Sequence, residues 1–465
     1  MSGARVLFAS AEMAPIARVG GLAEAAAGLV LQLRADGVDV DVVLPDYGDV
    51  ELSDEASHDL DVPDWAAPAR VRRGVHDELG PIALVSTAGM RKPHPYVDST
   101  GQGWPDNDLR FFGFSAAIAA IAGQTDPDVV HLNDWHTSAS VAFLPHTTPV
   151  VLTIHTLGHQ GITGPNWFKR LPHEAGSFEW HGACNPLLAA VRRADRIVAV
   201  SPTYASEIVT EEFGCGLHVE LAARGDDLVG IRNGIDVDRW DPATDPHIAR
   251  NYDASNVTRR KPACRRALLD RVGLSLESSP DGPVFGVVSR LVDQKGIDVL
   301  LETVHFLGHL HARLVVLGSG DEGLANGLRW AAAEFPEQVA FVDGYDTELA
   351  HQIFAGADLF VMPSRFEPCG LAQMQAMAYG TLPVVTDLGG LHDTVVDADH
   401  DPERGTGIVA PWPTGAALAD ALHRGTALWR KRARRVEAQA NGMAVDWSWA
   451  GPAAEHVEIY RTVRR

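Results

Sequence analysis

Cysteine is scarce. Four occur in 465 residues (Cys184, Cys215, Cys264 and Cys369), and none forms a C-x-x-C pair. That excludes a disulfide-built scaffold and a thiolate zinc site, and it fits a reducing compartment. Basic charge is also short: 39 Lys and Arg against 61 Asp and Glu give a net of −22 with His neutral. So acidic a surface repels nucleic-acid backbones and anionic lipid headgroups, yet still allows a local basic pocket for a small anion. No apolar run approaches a membrane span. The opening MSGARVLFAS lacks the layout of a signal peptide and is read as a first strand. Low-complexity tracts and solenoid-period repeats are missing too. With 46% hydrophobic and 22% charged residues, the chain is ordinary for a globular protein, so disorder is not its dominant state. The expectation is a cytoplasmic protein of two or three domains, at roughly 100–200 residues each.

Short β-branched runs alternate with helical patterns. VLFAS (6–10), DVDVVLP (39–45), DVVHLND (128–134), VVLTIH (150–155) and RIVAVS (196–201) read as buried strands. The stretch between the first two, LAEAAAGLVLQLRADG, is helical and ends on Gly37, a suitable C-cap. A second strand series follows a polar, proline-bearing break: VFGVVSR (284–290), ARLVVLGSG (312–320), QVAFVDG (338–344), DLFVMPS (358–364) and LPVVTDLGG (382–390). Strand–helix alternation on this scale implies parallel sheets built from βαβ units. The fold expected is α/β, with two Rossmann-like domains facing each other across a deep cleft. They span 1–240 and 283–445, with a linker at 241–282 and a closing helix at 446–465.

Several strand ends carry groups suited to an anionic or sugar-like ligand. Arg18-Val19-Gly20-Gly21-Leu22 lies between a strand and a helix, where glycines let the backbone approach a phosphate and a helix N-terminus supplies N–H donors. A tight strand–helix turn explains Gly20-Gly21 equally simply. Arg290 and Lys295, five residues apart at a strand end, can converge on a pyrophosphate as fork and point charge, or form a plain surface pair. In Pro363 to Leu371, Pro368 suits a first helical turn, Gly370 permits close approach, and the Leu371 and Ala372 amides open a helix. Glu367 there can bond hydroxyls, stabilise positive charge on a sugar carbon, or merely complement a helix dipole. Asp134-Trp135-His136 and Thr153-Ile154-His155 close two first-half strands. A lone His is usually structural; two such clusters shift the balance toward a polar ligand site. The glycines of 318–323 lack the acidic strand end of a dinucleotide site. His305, His309 and His311 lack a carboxylate partner for a metal, so no metal site is assigned.

These motifs, in this order and over nearly the whole chain, resemble those of bacterial glycogen synthases and plant starch synthases, retaining glycosyltransferases of GT-B architecture. The likeness also takes in Ser201-Pro202-Thr203-Tyr204-Ala205, Asn233-Gly234-Ile235-Asp236, Gly389-Gly390-Leu391 and Asp393-Thr394. The resemblance implies that Arg290 and Lys295 neutralise the diphosphate of a nucleotide sugar. Arg18, Gly20, Gly21, Gly370, Leu371 and Ala372 would cradle it, and Tyr345 would stack on the base. It implies that Asp134, Trp135, His155, Thr156, His159 and Asn233 address sugar and acceptor, and Glu367 the sugar side of the reaction centre. It implies neither metal nor cofactor beyond the donor substrate, and a front-face mechanism in which the leaving phosphate takes the acceptor proton.

The chain departs from the family pattern at several of these positions. Arg18 stands where Lys is usual, Glu24 for Asp, Thr156 for Asn, His159 for Tyr, Leu188 for Lys and Ala372 for Thr. Three readings follow. The first is a glycogen-synthase-type transferase using ADP-glucose and an α-1,4-glucan. The second is a specialised enzyme joining an activated sugar or cyclitol to a small acceptor. The third is a non-catalytic glucan- or nucleotide-binding relative, against which the retention of Arg290, Lys295 and Glu367 together argues.

Overall fold

The computed structural model describes residues 4–172, 175–275 and 282–464. It divides into two units, residues 1–234 with 449–465 and residues 235–448.

The first unit is built on a nine-stranded sheet. Its order is Leu228–Gly230, Arg196–Ala199, Val150–Ile154, Val129–Asn133, Arg5–Ala9, Asp39–Pro45, Gly80–Ser86, Arg70–His76, Ser53–Asp59. The first seven are parallel, and the last two turn antiparallel at the edge. The strand order reverses between Arg5–Ala9 and Val129–Asn133, the switch point where α/β sheets bind ligands. The edge strand Ser53–Asp59 is exposed on both faces. It therefore shows no apolar alternation and was not among the strands expected. The helix Ala450–Val463 packs on the helix Gly21–Ala35, burying Ala453, His456 and Tyr460. The Tyr460 hydroxyl meets His131 Nδ1 at 2.7 Å, under the sheet's core.

The second unit carries six parallel strands in the order Val339–Asp343, Arg313–Gly320, Val284–Leu291, Leu359–Met362, Leu382–Thr386, Ile408–Ala410. Numbered along the chain this is 3-2-1-4-5-6, the Rossmann order, with its switch point between Val284–Leu291 and Leu359–Met362.

The span expected as a linker, 241–282, is largely part of this unit; residues 276–281 of it lie outside the described residues. Val257–Val272 is a helix packed on Thr347–Gly356. Its Lys261 is buried, donating to the carbonyls of Phe354, Ala355 and Tyr379 and to the Thr381 hydroxyl. Pro262 and the basic residues around it hid that helix in the sequence, because its buried face includes a lysine. Among the described residues no helix is long and apolar enough to cross a membrane.

Candidate functional site

Each unit places several of its motif residues at its own switch point. In the first unit, Arg5–Ala9 ends in a loop that runs to the helix Gly21–Ala35. A Cβ added at Gly20 or Gly21 would meet nothing within 4 Å, and neither glycine has a positive φ. Packing and backbone geometry therefore do not demand glycine at either position. Gly21 and Leu22 open a 15-residue helix whose first N–H groups have no intrahelical acceptor. Arg18 Nε pairs with Glu24 Oε1 at 3.3 Å, so two departures from the family pattern form one ion pair. Sequence reasoning missed Glu12. It is buried, and its Oε2 accepts from Val19 N (2.7 Å) and Gly20 N (2.9 Å).

Beyond the neighbouring strand, Asp134 adopts φ 54° and ψ −174°, a strained backbone region that residues other than glycine rarely occupy. It is held by its Oδ1, which accepts from His155 N at 2.7 Å and Thr156 N at 3.4 Å. Burial raises the Asp134 carboxyl to about 7 despite those two bonds. Burial likewise lowers His155 to about 3, so its imidazole is neutral. Its Nε2 lies 2.9 Å from Asn133 Oδ1. Asn133 donates its amide to Ala9 O, which makes His155 Nε2 the donor. Tyr204, from the Ser-Pro-Thr-Tyr-Ala motif, accepts the Leu157 N–H at 2.9 Å and fixes the loop after His155. The structure thus brings Asp134, His155 and Thr156 together. Asn233 lines one small cavity with His155 and His456.

Trp135 and His159 border a separate depression of about 430 Å³, together with Gln160, Ile162 and Cys215. Gly161, at φ 69°, lies against Trp135 so closely that a Cβ would sit 2.1 Å from the indole. Asn185 caps the helix Pro186–Arg193 through the Leu188 N–H and donates to Gln160, while the Leu188 side chain is buried in the core. At that position the chain has exchanged a cation for packing.

In the second unit, Lys295 Nζ lies 2.6 Å from Glu367 Oε2, which also accepts from Ser364 Oγ at 3.1 Å. Glu367 is 5% exposed. The turn 293–296 is pressed onto the next strand end. Gly296 has φ 63°, and a Cβ there would sit 2.0 Å from Pro363 O. Arg365 N donates to Gln294 O, and the Arg365 guanidinium is engaged by Asp298 and Asp293. Arg365 is therefore a brace. Arg290 is exposed on the end of its strand.

Pro368 does not enter a helical turn. The helix there is Ala372–Ala378, because Gly370 at φ 75° breaks the helical path before it. Gly390 packs on Cys369, so Gly389-Gly390 supports that loop from behind. Tyr345 follows a strand end and is 83% exposed. Among the described residues no cluster of three or more metal-ligating side chains occurs.

The comparisons with known proteins agree on one group. The family model "Starch synthase catalytic domain" matches residues 5–223, and "Glycosyl transferases group 1" matches residues 275–442. The chain is 41% identical to the glycogen synthase of Dechloromonas aromatica, over 99% of both chains. It is 38% identical to glycogen synthase 2 of Bradyrhizobium diazoefficiens, over 100% of this chain and 99% of that one. The catalytic domain of starch synthase IV from Arabidopsis thaliana, solved with ADP and acarbose, matches with a TM-score of 0.88 at 30% identity, over the full length of both. A sucrose-phosphate synthase from Thermosynechococcus elongatus, at 19% identity and a TM-score of 0.63, shares the fold alone.

Proposed function

This chain belongs to the glycogen synthase and starch synthase family of GT-B retaining glycosyltransferases, and from that premise we propose ADP-glucose as its donor and an α-1,4-glucan as its acceptor. The observation that carries the reading is the Lys295–Glu367–Ser364 cluster at the Rossmann switch point. The ADP and acarbose, a glucan-like oligosaccharide, in the Arabidopsis structure support it.

In this reading Lys295, held by Glu367, and Arg290 stabilise the departing diphosphate, which removes any need for a metal ion. Gly370 with the Leu371 and Ala372 amides cradles the diphosphate, and Tyr345 stacks on the base. In the first unit, Arg18 and the helix start at Gly21 offer further anion donors. Asp134 orders the backbone at His155 and Thr156, and neutral His155, whose Nε2–H is spent on Asn133 Oδ1, offers Nδ1 to a sugar hydroxyl as an acceptor while being too weak a base to take the acceptor proton. That proton passes to the leaving phosphate as the new glycosidic bond forms on the same face. Trp135, His159 and Asn233 line the acceptor side.

The test is transfer of labelled glucose to glycogen from ADP-glucose or UDP-glucose, in chelator, with maltose and small amines as alternative acceptors. Incorporation into glycogen from ADP-glucose is expected. Gly21→Ala should keep the fold and lose on the order of 10²-fold in turnover, because a methyl there holds the anion about 1 Å off the helix-start N–H groups. Transfer to a small amine with none to glucan would overturn the reading.

A further inference from the structure

We propose that Glu12 is a positioning residue, a built-in anion that fixes the loop bearing Arg18 and Gly21. The inference rests on the functional reading of that loop given above. Glu12 follows the strand Arg5–Ala9 at the first unit's switch point and is 4% exposed. Oε2 takes two consecutive backbone donors, Val19 N at 2.7 Å and Gly20 N at 2.9 Å. Oε1 accepts from the Tyr96 hydroxyl at 2.7 Å. Both oxygens are therefore engaged by donors, as a buried carboxylate requires.

The two amides it holds are the kind a phosphate would otherwise take at a glycine turn. With them occupied, the loop's remaining anion donors are the Arg18 guanidinium and the helix-start N–H groups of Gly21 and Leu22. Arg18 Nε is paired with Glu24 Oε1 at 3.3 Å. Residues 18–20 belong to no helix or strand. Their direction is set by Glu12 from one side and Glu24 from the other.

The anchor also reaches the Asp134 strand end. The Tyr96 ring stacks on His136 with centroids 4.7 Å apart, and His136 lies two residues beyond Asp134. Burial and the Glu12 charge hold the Tyr96 phenol well above its ordinary range, so it remains a donor at every working pH. The chain Val19/Gly20–Glu12–Tyr96–His136 thus ties the glycine loop to the Asp134 turn within one unit. A misplacement of about 1 Å in such a loop costs on the order of 10²-fold in turnover.

The experiment compares wild type with Glu12→Ala and Glu12→Gln by amide hydrogen exchange, ADP binding and ADP-glucose turnover, after circular dichroism has checked the fold. In Glu12→Ala, the Val19 and Gly20 amides should exchange roughly tenfold faster or more, because local opening there becomes easier. Turnover should fall about tenfold or more and ADP affinity by less than that, since the phosphate grip around Lys295 is untouched while the loop bearing Arg18 is loosened. Glu12→Gln keeps an oxygen for the two amides and should retain most of the protection and turnover, which also covers the case where the alanine variant misfolds. Wild-type exchange at Val19 and Gly20 in Glu12→Ala, or a glutamine variant as damaged as the alanine one, would overturn the proposal. If the wild-type protein transfers nothing from ADP-glucose, the functional reading falls instead, and the exchange rates alone still decide the role of Glu12.

Discussion

Asp134 shows how a single site residue sets a pH dependence. Its folded carboxyl titrates near 7 because burial disfavours the charge, against about 3.9 in an unfolded chain. The folded state therefore holds the proton more tightly, and Asp134's contribution to stability is complete below about pH 4. It declines as pH rises toward 7, at up to about 1.4 kcal/mol per pH unit, and is gone above that. Asp134→Asn keeps an oxygen for the His155 and Thr156 amides but cannot ionise. Denaturant unfolding at pH 5 and pH 8 should show the Asn variant gaining stability over wild type on going to pH 8. An unchanged difference would mean that the carboxyl ionises freely in the fold. The residue scale is also where the sequence is hardest to read. Lys295 and Glu367 stand in recognisable runs, and the structure joins them at 2.6 Å. Glu12 has no such run, because its partners Val19, Gly20 and Tyr96 are fixed by the turn of the chain rather than by spacing.

At the scale of elements, period and β-branching locate the buried parallel strands, since both faces are apolar and each is a continuous run. The same signal fails at Ser53–Asp59, where neither face is covered, and at Val257–Val272, where a buried Lys261 replaces an apolar residue. Packing between helices is likewise invisible in one sequence. Gly28 sits inside the helix Gly21–Ala35, where propensity alone would favour Ala by about 1 kcal/mol. The structure places Trp449 against it, and a Cβ would fall 2.0 Å from the indole Nε1. Overpacking of that kind costs about 1–3 kcal/mol and outweighs the propensity gain. Gly123, in the helix Asn107–Thr125, is the control, because a Cβ there meets nothing within 4 Å. Thermal melts should show Gly28→Ala destabilised and Gly123→Ala unchanged or slightly stabilised. Equal gains in both would mean that Trp449 does not press on Gly28.

At the scale of the molecule, the twin Rossmann pattern was legible because each half repeats the strand–helix alternation independently. The chain's return to the first unit was not, since a closing helix carries no mark of which core it completes. The structure settles this by burial. Trp449, Ala453, Tyr460 and Val463 share one core with Val6, Phe8, Leu29 and Val129 of the first unit. The second unit is instead one continuous segment, and its ends meet where Ile235 N donates to Trp447 O at 2.8 Å. Two consequences can be measured on fragments. Residues 235–448 have a complete sheet and core of their own and should unfold cooperatively when expressed alone. Residues 1–234 lack the helix that covers His131 and the Gly21–Ala35 face, which leaves a large apolar patch open to association. They should melt without cooperativity or aggregate. Joining residue 234 to residue 449 through a short glycine linker should restore a sharp transition, because the segment removed begins and ends at adjacent points. A cooperative melt of residues 1–234 at the temperature of the linked form would show that the closing helix contributes little, and that His131 and its neighbours find cover elsewhere.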